Sequence, residues 1–224
     1  METIPLSTVS LPRLNEPAPE FSATTTHEPK KLSDYKGKWL ILFSHPADFT
    51  PVCTTEFVAF SKIYPELQKR NADLIGVSID SVFSHIAWVR NVEEHFGIRI
   101  SFPIIADVDM KVAGLYGMVH PGASSTQAVR CVFFIDDKGL LRAMMYYPMS
   151  VGRNMDEILR VLEALQTADT AKVACPANWR PGDKVVVPPP QTQEAAEARM
   201  KEGYECTDWY LCTRELAWPV TSET

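Results

Sequence analysis

Phe43-Ser44-His45-Pro46-Ala47-Asp48-Phe49-Thr50-Pro51-Val52-Cys53-Thr54-Thr55-Glu56 is the stretch on which the reading of this chain turns. An apolar run, Trp39-Leu40-Ile41-Leu42-Phe43, leads into it and reads as a buried strand. Thr50 suits a helix N-cap. Pro51 suits the first helical position, where its missing N–H would have no partner anyway. Cys53 then falls in the first turn. Unpaired backbone N–H groups and the positive end of the helix dipole favour a thiolate there. Glu56 favours the same helix start through the dipole. The thiolate is the nucleophilic form of cysteine, so the segment describes a strand that delivers one reactive sulfur to a helix start.

Strand and helix signals alternate around this segment. The periodicity predicts a helix over 51–69, a strand over 72–79 and a helix over 82–95 with Ile86, Val89 and Phe96 near one face. Strands over 129–135 and 140–147 flank Asp136-Asp137-Lys138-Gly139, a hairpin turn. Asn154 and Glu157 form a capping-box pattern ahead of a helix whose stripe is Ile158, Val161, Leu162 and Leu165. The pattern predicts an α/β fold, a mixed central sheet flanked by helices. Residues 1–38, rich in Pro and Thr, are expected to wrap the surface. After residue 168, Pro176, Pro181, Pro188, Pro189 and Pro190 break regular structure, leaving room for a short strand at 185–187 and a polar helix within 191–202. The expected division is a core domain, 1–168, and a C-terminal arm, 169–224. Trp179, Trp209, Tyr210 and Trp218 give the arm aromatic surface that a partner subunit would cover.

The chain has 224 residues, enough for a full hydrophobic core, and a formal net charge of −6, which argues against binding nucleic acid or an anionic membrane. Its five cysteines include no C-x-x-C pair and no zinc spacing. No apolar run approaches the roughly 20 residues of a membrane helix, and the N-terminus lacks a signal-peptide pattern. A reducing cytoplasm is the expected compartment.

The motif Pro46-x-x-x-Thr50-x-x-Cys53 is similar to the active-site signature of peroxiredoxins. The longer string from Phe43 to Glu56 resembles the 1-Cys, or peroxiredoxin-6, subfamily. Arg130, in Ala128-Val129-Arg130-Cys131-Val132-Phe133-Phe134-Ile135, matches the family's second active-site position, and Tyr147-Pro148-x-x-x-Gly152-Arg153-Asn154 resembles a further subfamily motif. Cys206-Thr207-Asp208-Trp209-Tyr210-Leu211-Cys212 resembles archaeal-type members with a cysteine-bearing arm. The resemblance implies a thioredoxin-like fold with a dimerisation arm and a thiol-dependent peroxidase acting on hydrogen peroxide and organic hydroperoxides. It needs no metal, haem or flavin, because the thiolate does the redox work.

Each residue then has an expected part. Cys53 attacks the peroxide and becomes a sulfenic acid. Pro46 shields it, and Thr50 adds a hydroxyl to its cap role. Burial alone disfavours a thiolate, so a compensating cation is needed, and Arg130 supplies it at the head of its strand. Cys131 alternates onto the opposite face and reads as core. The resemblance places His45 near the pocket and Arg153 against its wall, both as substrate-binding candidates. It makes Cys212 of a partner subunit the expected resolving residue, with Cys206 in support. Cys175 has no evident role. The expected partners are peroxides, an external thioredoxin-like or glutaredoxin-like reductant, and further copies of the chain as a homodimer or ring of dimers. A redox-regulated chaperone or sensor and a protein disulfide oxidoreductase are the alternatives. Some peroxiredoxin-6-like proteins carry a phospholipase serine just before the active-site strand. Lys38 stands at that place here, so that activity is not expected.

Overall fold

A computed structural model describes residues 11–217. Trp218 lies outside the described residues. In chain order the elements are β1 (Ser22–Ala23), β2 (Lys30–Lys31), a 3-10 turn (Leu32–Tyr35), β3 (Trp39–Ser44), α1 (Pro51–Lys69), β4 (Ala72–Ser78), α2 (Val82–Phe96), β5 (Ile104–Ala106), α3 (Lys111–Leu115), β6 (Arg130–Ile135) and β7 (Leu141–Tyr147). They are followed by α4 (Met155–Ala171), β8 (Val185–Val186), α5 (Gln193–Arg199), β9 (Glu205–Asp208) and β10 (Leu211–Arg214). The chain divides into two compact units, Met1–Met155 and Asp156–Thr224. The division falls at the first residue of α4, not near its end at residue 168. The residues of α4 explain this in part: Ala164 and Ala171 pack with Val173, Trp179 and Val185 of the second unit.

The first unit is a five-stranded sheet of order β5-β4-β3-β6-β7. β4 is parallel to β3 and β5, while β6 is antiparallel to both β3 and β7, which makes the sheet mixed as expected. Strand alternation sorts its side chains into two faces. Leu40, Leu42, Ile75, Val77, Cys131, Phe133 and Ile135 enter one cluster with Phe21, Leu32, Tyr35, Val112 and Tyr116. The segment before residue 38 therefore does more than wrap the surface: Phe21, Leu32 and Tyr35 are core. On the other face, Phe43 stacks on Phe60 of α1 with centroids 4.1 Å apart, and Phe57 and Phe102 close around it at 5.3 and 5.8 Å. This aromatic floor fixes α1 over the sheet.

The helix α2 buries a different face from the one expected. His85, Trp88 and Val92 point inward, while Ile86 and Phe96 are exposed. A histidine counts as polar in a hydrophobic pattern, so the pattern alone puts the stripe one residue too far round. Buried hydrogen bonds, described below, draw His85 in.

The second unit pairs β8, β10 and β9 as an antiparallel sheet in that order. Trp179 is buried there with its indole N–H donating to the Asp183 carbonyl at 3.2 Å. Trp209 and Tyr210 form the exposed tip of the β9–β10 hairpin. Neither residue favours the positive φ of a two-residue hairpin turn, which is why the sequence carries no hairpin signal there. Cys206 and Cys212 face each other across the hairpin and are disulfide-bonded, with Cα atoms 4.0 Å apart.

A Cβ built at Gly76 would sit 3.2 Å from the Phe43 ring and 3.3 Å from the Phe57 ring, both held by the aromatic floor. Gly76→Ala is therefore expected to destabilise the fold by about 1–3 kcal/mol through overpacking. Urea unfolding of the variant checks it; an unchanged midpoint would mean that the floor yields.

Candidate active site

Cys53 lies in the first turn of α1, fully buried. Pro51 begins the helix and Thr50 holds the extended N-cap backbone, as expected. Its side chain makes no cap hydrogen bond. The Thr50 hydroxyl instead donates to the Ala47 carbonyl at 2.9 Å, and the turn is braced by Thr54, whose hydroxyl donates to the Thr50 carbonyl at 2.8 Å. With its proton spent on Ala47, the Thr50 oxygen offers only lone pairs to any other partner. Pro46 is buried beside it in the loop from β3.

Arg130 opens β6 and is buried at 3% exposure, far below what an arginine tolerates without partners. Its Nη1 donates to the Cys53 sulfur at 3.3 Å and to Glu56 Oε2 at 2.6 Å; Nε and Nη2 both donate to the Met149 carbonyl, at 2.9 and 2.8 Å. Strand register places this cation under the helix start, because β6 runs antiparallel to β3 with Phe43 opposite Val132.

Glu56, one turn after Cys53, joins the two arginines. Its Oε1 accepts from the Arg153 backbone N–H and Nε, and its Oε2 from Arg153 Nη2, at 2.8–2.9 Å. Burial alone would raise its pKa, but the hydrogen bonds and charge of Arg153, with the charge of Arg130, hold it below the usual carboxylate range. Sequence reasoning gives Glu56 only a helix-dipole role. The signal it misses is the spacing of three from the cysteine, which puts both on one helix face.

Arg153 does not stand at the sulfur. Besides Glu56 it donates through Nη1 to the carbonyls of Ser44, at 2.9 Å, and Cys131, at 2.7 Å. Its guanidinium also sits over the rings of Phe43 and Phe60, at 5.1 and 5.3 Å. Its donors are committed to Glu56 and the strand ends, so it supports the site from behind.

His45 is fully buried. Its Nε2 is 3.0 Å from Asp48 Oδ1, and its ring packs on Phe57 and Trp88. A carboxylate only accepts, so Nε2 carries the proton. Burial lowers the His45 pKa, which leaves a neutral ring whose Nδ1 is buried without a partner. Asp48 also takes His85 Nδ1 at 2.8 Å, while His85 Nε2 meets the Ile105 carbonyl at 3.1 Å. Both ring nitrogens of His85 thus face oxygen atoms. Despite burial, these histidine bonds hold Asp48 well below its usual pKa. Asp80 completes the group by accepting from the Asp48 backbone N–H at 3.1 Å. The ligand-type atoms of His45, Asp48, Asp80 and His85 lie within 4.8 Å of one another. Among the described residues this is the group with the composition of a metal site, but its closest atoms are already hydrogen-bonded to each other.

The other free thiols are held inert. Burial pushes Cys131 up to about 12 despite the Ser44 hydrogen bond, and burial raises Cys175 as well. The structure thus brings together Cys53, Thr50, Pro46 and Arg130, with Arg153 acting through Glu56. Cys206 and Cys212 are bonded to each other in the second unit, not present as two free thiols.

Residues 14–144 match the AhpC/TSA family, and residues 164–203 match the C-terminal domain of 1-Cys peroxiredoxin. A peroxiredoxin of Aquifex aeolicus is 59% identical over 222 residues, covering 94% of this chain and all of that protein. Peroxiredoxin 2 of Caldanaerobacter subterraneus is 56% identical, with 96% and 98% covered. Among solved structures, a yeast mitochondrial 1-Cys peroxiredoxin, studied for thiol resolution by glutathione and thioredoxin systems, superposes with TM-score 0.80 at 41% identity over 91% of this chain and 99% of its own. A cysteine-to-serine mutant of peroxiredoxin 6 from Arenicola marina gives TM-score 0.81 at 36% identity, with 91% and 97% covered.

The titrations have one sign. His45, Glu56 and Asp48 all have folded pKa values below their ordinary 6.5, 4.5 and 3.8, so the unfolded chain binds protons first as pH falls. Their stabilisation is full above these values and is lost downward, His45 first. Asp107, raised by burial, opposes the trend only in the carboxylate range. Stability measured by urea unfolding should decline from about pH 6.5 to pH 5, and His45→Gln should flatten that segment. An unaltered slope in the variant would assign the loss to other groups.

Proposed function

This chain belongs to the peroxiredoxin family, thiol-dependent peroxidases of the AhpC/TSA type, and from that premise we propose that Cys53 is its peroxidatic cysteine and Cys212 its resolving one. The observation that carries the first part is the 3.3 Å contact of Arg130 Nη1 with a cysteine sulfur at a helix start. The thiolate attacks the outer oxygen of the peroxide. The O–O bond breaks, the sulfur is oxidised by two electrons to a sulfenic acid, and the departing oxyanion takes a proton to leave as water or an alcohol. Arg130 stabilises charge on the leaving oxygen. Thr50, its own proton given to Ala47, accepts the peroxide O–H and orients it. Pro46 keeps bulk water from the sulfur. Arg153 acts through Glu56, as a positioning residue rather than a substrate contact.

The Cys206–Cys212 disulfide supports a two-step resolution. Cys212 of a partner subunit attacks the Cys53 sulfur and displaces hydroxide, which leaves as water. Cys206 then attacks Cys212, and Cys53 departs as a thiolate. The product is the Cys206–Cys212 bond, which an external dithiol protein reduces. The arm's exposed Trp209 and Tyr210 fit a surface that docks on another subunit, in a dimer or ring of dimers. Among the described residues no helix is long and apolar enough to cross a membrane. The cycle needs a dithiol reductant, and a reducing cytoplasm is the compartment that supplies one.

Two outcomes are expected. Cys53→Ser abolishes peroxide consumption with the fold intact, and Arg130→Met moves the pH midpoint of Cys53 alkylation upward while costing about 3–5 kcal/mol of stability, because Glu56 loses a buried partner. Retained turnover, or an unmoved midpoint, overturns the respective role. After peroxide treatment, Cys206→Ser should accumulate a covalent dimer on non-reducing electrophoresis and Cys212→Ser should give none. If neither variant gives one, Cys53 is reduced directly by an external thiol.

A further inference from the structure

Ser44 is fully buried at the end of β3, immediately before the active-site loop. The ladder between β3 and β6 pairs Leu40 with Ile135 through Phe43 with Val132. The next step would pair Ser44 with Cys131, and there the side chain takes over. The Ser44 hydroxyl donates to the Val129 carbonyl at 2.5 Å and accepts the Cys131 backbone N–H at 2.9 Å. That same N–H also reaches the Val129 carbonyl at 3.1 Å, closing a three-residue turn with Arg130 at its centre. One hydroxyl therefore grips the peptide groups on both sides of Arg130. The Ser44 carbonyl, meanwhile, holds Arg153 Nη1.

We propose that Ser44 is a positioning residue for peroxide reduction: its hydroxyl fixes the backbone of Arg130 so that the guanidinium meets Cys53. This rests on the reading of Cys53 and Arg130 given above. The geometry explains why the task falls to a hydroxyl. A side chain without a donor and an acceptor at one atom could not bridge both peptide groups. The guanidinium reaches the sulfur through a single nitrogen that it shares with Glu56, so a small rotation of the turn breaks that contact first. A serine that merely satisfied buried backbone groups would affect stability alone.

The test uses the full chain, with three readings: thermal stability, the pH profile of Cys53 alkylation followed on its own peptide by mass spectrometry, and the second-order rate of hydrogen peroxide consumption. In Ser44→Ala the peroxide rate should fall about tenfold to a hundredfold and the alkylation midpoint should move up. Ser44→Thr, which keeps the hydroxyl, should restore both. In an Arg130→Met background, Ser44→Ala should change neither, since its effect passes through Arg130. If the alanine variant does not fold, Ser44→Cys, similar in size but a weak hydrogen-bonding group, carries the same comparison against threonine. A folded alanine or cysteine variant with the parent rate and profile overturns the proposal, as do losses that add to those of Arg130→Met. If instead the unaltered protein consumes no peroxide, or Arg130→Met leaves the profile unmoved, the reading of Cys53 and Arg130 fails and this inference falls with it.

Discussion

The ion pairing of Glu56 with Arg130 and Arg153 is the constraint from which the rest of the site follows. All three side chains are almost wholly removed from solvent. Taking such charges out of water costs several kcal/mol each, and only close, well-aligned partners offset that cost. Glu56 alone would cancel one arginine. The second cation needs another anion within reach, and the Cys53 sulfur is the acceptor that Arg130 meets. The pairing therefore seats a guanidinium donor on the cysteine sulfur without exposing it to water.

Holding this arrangement requires three separate stretches of chain to agree. Cys53 and Glu56 come from one face of α1, Arg130 from the head of β6, and Arg153 from the turn before α4. The aromatic floor of Phe43, Phe57 and Phe60 sets the height of α1 above the sheet, and Arg153 lies over two of those rings. Antiparallel register sets Arg130. The close packing at Gly76 and the hydroxyl of Ser44 act at the same junction from opposite sides of β3. The seating of the cation on the sulfur thus comes from apolar packing as much as from the charges.

Much of this was legible in the sequence. The strand entering at Trp39, the helix starting at Pro51 and the arginine heading β6 all stand where local pattern and capping chemistry put them. What escaped was set by long-range partners. β5 is three residues long and takes its identity from pairing with β4, a contact local periodicity does not contain. The inward face of α2 was misplaced because His85 is buried by Asp48, 37 residues away. Arg153 looked like a wall contact, yet its guanidinium is committed to Glu56 and two carbonyls. Cys206 and Cys212 have odd loop spacing for a redox pair, and only the hairpin brings them face to face.

The closed site also poses a problem that its own hydrogen bonds help resolve. Cys53 is fully buried, so a second thiol cannot reach its sulfur while the first turn of α1 stays in place. That turn is held by Thr54, which donates to the Thr50 carbonyl and accepts the Trp88 indole N–H at 3.3 Å, and by the Arg130 contact to the sulfur. In the proposed cycle, oxidation replaces a thiolate by a neutral sulfenic acid. An ion pair between guanidinium and thiolate then becomes a weaker hydrogen bond from the cation to a neutral acceptor. Arg130 keeps Glu56 and the Met149 carbonyl, so the cation stays seated while the sulfur loses its hold. Oxidation weakens the one tether that is specific to the cysteine and leaves the scaffold intact. In the proposed cycle the first turn opens more readily once the peroxide has been reduced, which orders resolution after chemistry.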